Sequence, residues 1–389
     1  MKVDLKKASL ANFLEFKTLY YDKIDFTCVK SSWELLSKEI TLPFIIHIVG
    51  TNGKGSTGRF LAHYLNKAKY KVQHYSSPHI IKLNERIWIN GSDVDDFSLE
   101  EAHVFLQKLY PLSLLEKLTY FEYMTLLSFY LSKDCDYLVL EAGLGGEFDA
   151  TNVVPNDLSL ITTIDLDHMS FLGNTVEEIA QTKMRSVDNK MLIGYQIHNS
   201  VRQTALRVKE QIQNERNTNI SIDYVENFDK YPLNKKYATY LKRNLHLVIK
   251  CLEELNIPIN LDYFNDVELF GRCQKIRNNI TIDVGHNPLA ARVLKEEFKD
   301  KKITLIYNSY ADKDYEKVLS ILKPIINKII IIEVDDNRMV PRNKLLGIIN
   351  KLNIINEDVI KINDNEKYLV FGSFLVVEKF LYLIGMNEK

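Results

Sequence analysis

A chain of 389 residues is longer than one ordinary hydrophobic core accommodates, so two domains are expected. Its apolar and charged fractions, 46% and 26%, are those of a globular protein, and a formal net charge of −1 excludes a broad basic field for nucleic acid or an anionic membrane. Cys28, Cys135, Cys251 and Cys273 lack the paired spacing of a disulfide framework or a zinc site and suit a reducing cytoplasm. The first ten residues carry Lys and Asp without an apolar stretch, so no secretory signal is expected there. The run 329–334 is too short to span a bilayer, and the longer run from Tyr368 is interrupted by Glu378 and Lys379, so both are expected in the core.

In chain order, a β-rich run at 44–49 precedes a glycine-rich loop and a helix pattern over 56–67. Strands at 71–75, 137–140 and 158–164 each end in polar or glycine-rich segments: Ser76-Ser77-Pro78, Glu141-Ala142-Gly143-Leu144-Gly145-Gly146 and Asp165-Leu166-Asp167-His168. This alternation predicts a mostly parallel sheet with helices on its faces, where ligands gather beyond the carboxyl ends of the strands. A polar stretch over 209–236 reads as a surface excursion, followed by a helix over 237–255. From about 267 a second alternation begins, with strands at 280–284, 303–307, 329–334 and 368–371 and helices at 288–298, 315–325 and 342–352. Pro288 suits a first helical turn, where its missing N–H would have no partner anyway.

Gly50-Thr51-Asn52-Gly53-Lys54-Gly55-Ser56 lies between a buried-looking strand and a helix. Glycines let backbone N–H groups turn toward one anion, the helix dipole adds attraction, Lys54 brings a charge and Ser56 a hydroxyl. The first glycine stands closer to the lysine than in the usual phosphate loop, so this is a shortened variant. A glycine-rich turn with an exposed lysine is the competing reading. Phosphoryl transfer to a carboxylate brings two anions together and calls for cations and rigid placement. Glu141 at a strand end suits Mg²⁺, and Ser77 and His168 at equivalent positions can complete the ligands. A helix cap or a solvated loop competes for Glu141, and a structural role for His168.

The ordered set 50–56, Ser77-Pro78-His79, Asn84-Glu85-Arg86-Ile87, 141–146, Asp149-Ala150-Thr151-Asn152, Asp167-His168, Leu172-Gly173-Asn174-Thr175, Ile179-Ala180 and Lys183 resembles the folylpolyglutamate synthase/dihydrofolate synthase family of the Mur ligase superfamily. So do Gly271-Arg272, Asp283 with His286-Asn287-Pro288, Ala311-Asp312-Lys313-Asp314 and Gly372-Ser373. The resemblance implies an α/β fold: a P-loop-containing, mostly parallel sheet domain over 1–266 with folate-binding loops, and a smaller Rossmann-like C-terminal domain over 267–389. It implies an ATP-dependent ligase that adds L-glutamate to dihydropteroate, to the γ-carboxylate of reduced folates, or to both, through an acyl phosphate.

By the same resemblance, Asn52, Gly53, Lys54, Gly55 and Ser56 hold ATP phosphates, while Asn244, Arg272 and Asp283 grip base and ribose. Ser77, Glu141, His168 and Lys183 hold two Mg²⁺, with Lys183 carbamylated by CO₂; Lys54, Lys183 and His168 form the catalytic set. Thr119, Tyr120, Phe121, Asp149 and Ala150 meet the pterin-bearing substrate, and His286 and Ser373 the incoming glutamate. The protein is expected to be a cytoplasmic monomer that binds small molecules, not nucleic acid or membrane.

The sequence departs from the family at Val284-Gly285, around Gly271-Arg272 (Phe270, Cys273-Gln274), at Met184-Arg185-Ser186 and at Lys30-Ser31-Ser32-Trp33. These changes leave the ATP chemistry intact and bear on which folate is accepted. A cell-wall precursor ligase of the same superfamily, a P-loop ATPase or kinase forming no amide, and a nucleotide-binding regulatory module are the alternatives.

Overall fold

The computed structural model describes residues 5–18, 26–226, 230–233 and 237–386. The chain divides into two compact units. The first comprises Met1–Pro78, Leu83–Leu233 and Arg243–Val267; the second comprises His79–Lys82, Asn234–Lys242 and Glu268–Lys389. Two short segments on the N-terminal side of a 266/267 boundary therefore belong to the second unit.

The first unit carries strands β1 (Phe44–Val49), β2 (Val72–Tyr75), β3 (Ile87–Ile89), β4 (Ser92–Asp93), β5 (Tyr137–Glu141), β6 (Leu158–Ile161), β7 (Lys190–Ile193) and β8 (Ser221–Tyr224). They form one sheet in the order β4-β3-β2-β5-β1-β6-β7-β8. Pairing is parallel except at the β4-β3-β2 edge. β1 is a near-continuous apolar run because a central parallel strand is covered on both faces. The unit's helices are α1 (Leu10–Glu15), α2 (Phe26–Leu36), α3 (Lys54–Lys67), α4 (Asp96–Leu109), α5 (Leu112–Lys117), α6 (Tyr120–Ser132), α7 (Met169–Leu172), α8 (Val176–Met184), α9 (Ser200–Arg216) and α10 (Thr239–Glu254), whose first four residues count with the second unit. Residues of α1, α2 and α4–α6 share one core cluster with Ile45, Leu138 and Leu140, while α8 and α9 pack with Val49, Ile161 and Ile193 in another.

The second unit has β9 (Gln274–Arg277), β10 (Ile280–Asp283), β11 (Ile303–Tyr307), β12 (Ile326–Ile331), β13 (Ile355–Glu357) and β14 (Tyr368–Phe371), in the order β13-β12-β11-β14-β10-β9. Only β9 pairs antiparallel in this sheet. Helices α11 (Pro288–Glu297), α12 (Tyr315–Leu322) and α13 (Arg342–Lys351) bury Leu294, Leu319 and Leu345 in one cluster; α14 (Phe374–Leu383) buries Val377 and Phe380 in another. Among the described residues, no helix is long and apolar enough to cross a membrane.

Several elements differ from the sequence expectation. α3 begins at Lys54, so the lysine sits in the first helical turn. β6 ends at Ile161, because the following residues leave the ladder and Thr163 bridges Asn52. The strand expected at 329–334 lies at Ile326–Ile331, set by its pairing with β11. α12 stops at Leu322, ahead of a short turn containing Pro324, which cannot donate a helical N–H. The polar stretch 209–236 supplies the end of α9 and the edge strand β8; 227–229 and 234–236, like residues 1–4 of the N-terminal reading, lie outside the described residues.

Candidate functional site

The phosphate loop follows β1 at the carboxyl edge of the first sheet. Thr51 and Asn52 donate their N–H groups to Thr163 O (3.0 and 3.2 Å), which anchors the loop's first half to the β6 side. The first N–H groups of the α3 N-terminus have no intrahelical acceptor, an arrangement that suits an anion. Gly53 has φ 94°, and a Cβ there would lie 2.8 Å from Asn244 Oδ1. Asn244 is buried, and its Nδ2 donates to Ser56 Oγ at 2.8 Å. The structure thus places Asn244 directly under the loop. Ser56 Oγ also donates to Gly53 O at 3.1 Å.

Lys54 Nζ donates to Gly50 O at 3.3 Å and lies 3.9 Å from Glu141 Oε1. Glu141 ends β5 level with Ile48, and its buried carboxylate also accepts a long hydrogen bond from Ser77 N at 3.4 Å. Three strand ends therefore converge: the loop after β1, Ser77 after β2 and Glu141 on β5.

Lys183 is buried on α8, and a Cβ on Gly146 would come within 2.5 Å of its carbonyl oxygen. Burial first, and the charge of Lys54 second, bring its pKa down to about 7, against the opposing pull of Asp167 and Asp149. His168 takes a left-handed φ of 51°, opens α7 and donates its N–H to Asp167 Oδ1 at 2.9 Å, with its side chain 40% exposed. Asp167 was absent from the sequence-derived site set, although its place just before His168 at a strand end was a usable signal. Glu141 and Asp167 offer carboxylate oxygens and Ser77 a neutral hydroxyl, donor types that fit a hard divalent cation such as Mg²⁺.

The other first-unit candidates are held by contacts within and between their own segments. Asp149 is buried, and its carboxylate accepts from Leu144 N (2.7 Å), Thr151 N (3.0 Å) and Thr151 Oγ1 (2.6 Å). His47 Nε2 lies 2.9 Å from Thr151 Oγ1; since that hydroxyl donates to Asp149, the imidazole is the donor to Thr151. Burial raises the Asp149 pKa and lowers that of His47 to about 4. Asp149 therefore folds its own loop, and Ala150 is buried in the turn that follows. Thr119 caps α6 through a reciprocal pairing with Glu122. Tyr120 faces the Arg86 guanidinium at 5.0 Å, and a Cβ on Gly143 would meet Phe121 Cζ at 2.5 Å. Phe121 thus packs on the glycine loop.

In the second unit, the buried Asp283 accepts from Tyr240 Oη (2.9 Å), Cys273 N (2.8 Å) and Gly285 N (2.8 Å). Burial raises its pKa, and Arg272 is among the groups pulling it back. Arg272 donates to Gly271 O at 3.3 Å and lies over Phe374 at 5.2 Å. Tyr240 was not foreseen: nothing in the sequence links it to Asp283. His286 Nδ1 is 3.2 Å from Val284 O. Ser373 is fully buried and its Oγ accepts from Val376 N at 3.1 Å, so it caps α14.

A phosphate loop with its lysine beside a buried strand-end carboxylate defines a nucleotide-using α/β enzyme core. Residues 48–264 match the family model of the Mur ligase middle domain. The dihydrofolate synthase/folylpolyglutamate synthase of Haemophilus influenzae is 32% identical over 341 residues, covering 77% of this chain and 76% of that protein. The crystal structure of Helicobacter pylori folylpolyglutamate synthetase is 38% identical, with a TM-score of 0.76 over 97% of this chain and 98% of that one. A bifunctional folylpolyglutamate synthase/dihydrofolate synthase from Yersinia pestis, complexed with AMPPNP and a Mn ion, shares the fold (TM-score 0.83, 22% identity, 99% and 100% coverage). The chain belongs to the Mur ligase family, in its dihydrofolate synthase/folylpolyglutamate synthase branch.

Proposed function

We propose that this protein is an ATP-dependent amide ligase that joins L-glutamate to dihydropteroate, to the γ-carboxylate of reduced folates, or to both. The observation that carries the reading is Lys54 Nζ 3.9 Å from the buried Glu141 carboxylate at the α3 N-terminus, with the buried Lys183 electrostatically coupled to Lys54. The names of the relatives support the same substrates.

The α3 N-terminus and Lys54 hold the terminal phosphates of ATP. An oxygen of the acceptor carboxylate attacks the γ-phosphorus, the bond to ADP breaks, and an acyl phosphate forms. The glutamate amine then attacks the carbonyl carbon, loses a proton, and the C–O bond to phosphate breaks. Lys54 offsets charge in the first step and steadies the departing phosphate in the second. Ser77, Glu141, His168 and Lys183 are the proposed holders of Mg²⁺, which when bound neutralises phosphate charge. A buried amine with a pKa of about 7 is neutral about half the time near pH 7, so its nitrogen can bond the carbon of CO₂ and release a proton. The resulting carbamate on Lys183 offers anionic oxygens where an ammonium offers only donors.

Phe121, with the Asp149-Ala150 loop, Thr119 and Tyr120, forms the proposed acceptor wall. Arg272 and Asp283 serve the nucleotide, and His286 and Ser373 the glutamate. A cytoplasmic monomer acting on small molecules is the form this reading assumes.

ADP release measured with dihydropteroate, tetrahydrofolate or no acceptor, each with L-glutamate, tests the proposal. Turnover is expected only with an acceptor and with a glutamylated product. Acceptor-independent ADP release without an amide product would instead mark an ATPase.

A further inference from the structure

The departure from the family at Met184-Arg185-Ser186 begins directly after Lys183, at the end of α8. The glycine loop that starts at Glu141 runs along this last turn of the helix. A Cβ on Gly145 would lie 3.6 Å from Thr182 Cγ2, and one on Gly146 would lie 2.5 Å from Lys183 O and 2.9 Å from its Cα. Glu147 N then donates to Thr182 O at 3.0 Å. The loop that carries Glu141 and the helix that carries Lys183 therefore meet backbone to backbone, with glycine at the point of contact.

Arg185 locks this contact from outside. Its Nε donates to Glu147 Oε1 at 2.7 Å, and its Nη1 and Nη2 donate to the two carboxylate oxygens of Glu215, at the end of α9, at 3.3 and 2.7 Å. Both inner partners are also held by their backbones: Glu147 O accepts from Asn152 Nδ2 at 2.9 Å, and Arg185 O from Arg216 Nη2 at 2.7 Å. A fully exposed ion pair would contribute little. Here the Arg185 and Glu147 side chains are only 17% and 20% exposed, and the guanidinium fork fixes its carboxylates in direction as well as distance.

We propose that Arg185 is a positioning residue for the ligase reaction: by gripping Glu147 it fixes the end of α8 on the glycine loop, and so sets where the Lys183 amine stands relative to Glu141. This rests on the reading of Lys183 as the carbamate-forming lysine and adds to it a residue that acts only through Lys183 and the loop. Glu215 steadies the outer side of the guanidinium.

The test is ¹³C NMR of the full-length protein equilibrated with ¹³C-labelled bicarbonate, paired with kcat from the ADP-release assay. The Lys183 carbamate carbon is the signal that Lys183→Ala lacks. Arg185→Ala is expected to lower both the carbamate signal and kcat roughly ten-fold, as loss of a partner behind a metal-binding residue does. Glu147→Gln should move both the same way, and Arg185→Lys, which keeps the charge and one hydrogen bond to Glu147, should recover most of both. Glu215→Gln should leave both within about two-fold of the parent, because it touches only the exposed outer arm.

A lowered thermal midpoint in Arg185→Ala, with carbamate and kcat retained by the folded protein, would mark a merely structural pair and overturn the proposal. Equal losses in Arg185→Ala and Glu215→Gln would overturn it too, since general loosening of α8 against α9 gives that result. Should Arg185→Ala fail to fold, Glu147→Gln decides: loss of signal and rate supports the proposal, and parent values overturn it. A parent protein without the carbamate signal would count against the carbamate reading alone, and the kcat pattern would then decide for Arg185. A parent without acceptor-dependent turnover would count against the ligase reading alone, and the carbamate pattern would decide.

Discussion

Replacing Asp149 by Asn separates a loop clamp from a substrate ligand. The carboxylate accepts three hydrogen bonds, from Leu144 N, Thr151 N and Thr151 Oγ1. An amide keeps only one acceptor oxygen. If that oxygen stays with Thr151, the new NH₂ faces Leu144 N, and a buried donor left unsatisfied costs about 1–3 kcal/mol. The two surviving bonds also lose charge assistance. Against this, a neutral amide escapes the burial penalty that raises the Asp149 pKa. The net loss should be about 2–3 kcal/mol, or roughly 5–10 °C in the thermal midpoint for a unit of this size. Thermal unfolding followed by circular dichroism, with acceptor KM measured below the transition, reads both effects. A midpoint within about 1 °C of the parent together with a KM raised about ten-fold would refute the clamp and make the carboxylate a direct substrate contact.

Stability should fall as pH drops from about 6.5 to 4. His47 binds its proton near its ordinary 6.5 when unfolded and near 4 when folded, so the unfolded state takes up more protons in that window. The loss is roughly 3 kcal/mol at most, and denaturant titrations of His47→Gln, which keeps a donor for Thr151, should show a flatter pH profile. Lys183→Ala should abolish ligation, with partial recovery on adding a small carboxylate such as acetate; full activity without rescue would remove Lys183 from the site. Chelation by EDTA should stop turnover and added Mg²⁺ should restore it in the ADP-release assay; turnover in excess chelator would count against a metal at Glu141. Gly58→Ala should lower the thermal midpoint by about 2–10 °C, because its Cβ would run into the fully buried His74 imidazole, and overpacking costs roughly 1–3 kcal/mol.

Much of the fold was legible because its central strands are nearly unbroken apolar runs bounded by turn residues. Phe44–Val49, Ile303–Tyr307 and Tyr368–Phe371 keep the sequence-derived bounds at both ends. Such runs must be covered on both faces, so composition alone marks them. The short strands β3, β4, β7, β8, β9 and β13 escaped notice, since two to four residues carry too little pattern. β12 lies three residues toward the N-terminus of the expected run, across Asn327 and Lys328, because pairing with β11 and not apolar character sets its limits.

By itself the sequence determined what is local: a glycine turn that carries a lysine and feeds a helix, and a carboxylate at the end of a buried strand. Those features need only neighbouring residues and the fixed geometry of helix and strand termini. The tertiary structure alone decided which distant side chains share an environment. It set Asn244 under Ser56 across 188 positions, closed the loop on the Asp149 carboxylate, joined Tyr240 to Asp283, and brought Lys183 close enough to Lys54 for burial and charge to loosen its proton. Hydrogen bonding and desolvation depend on who is adjacent in space, and one-dimensional order does not carry that information.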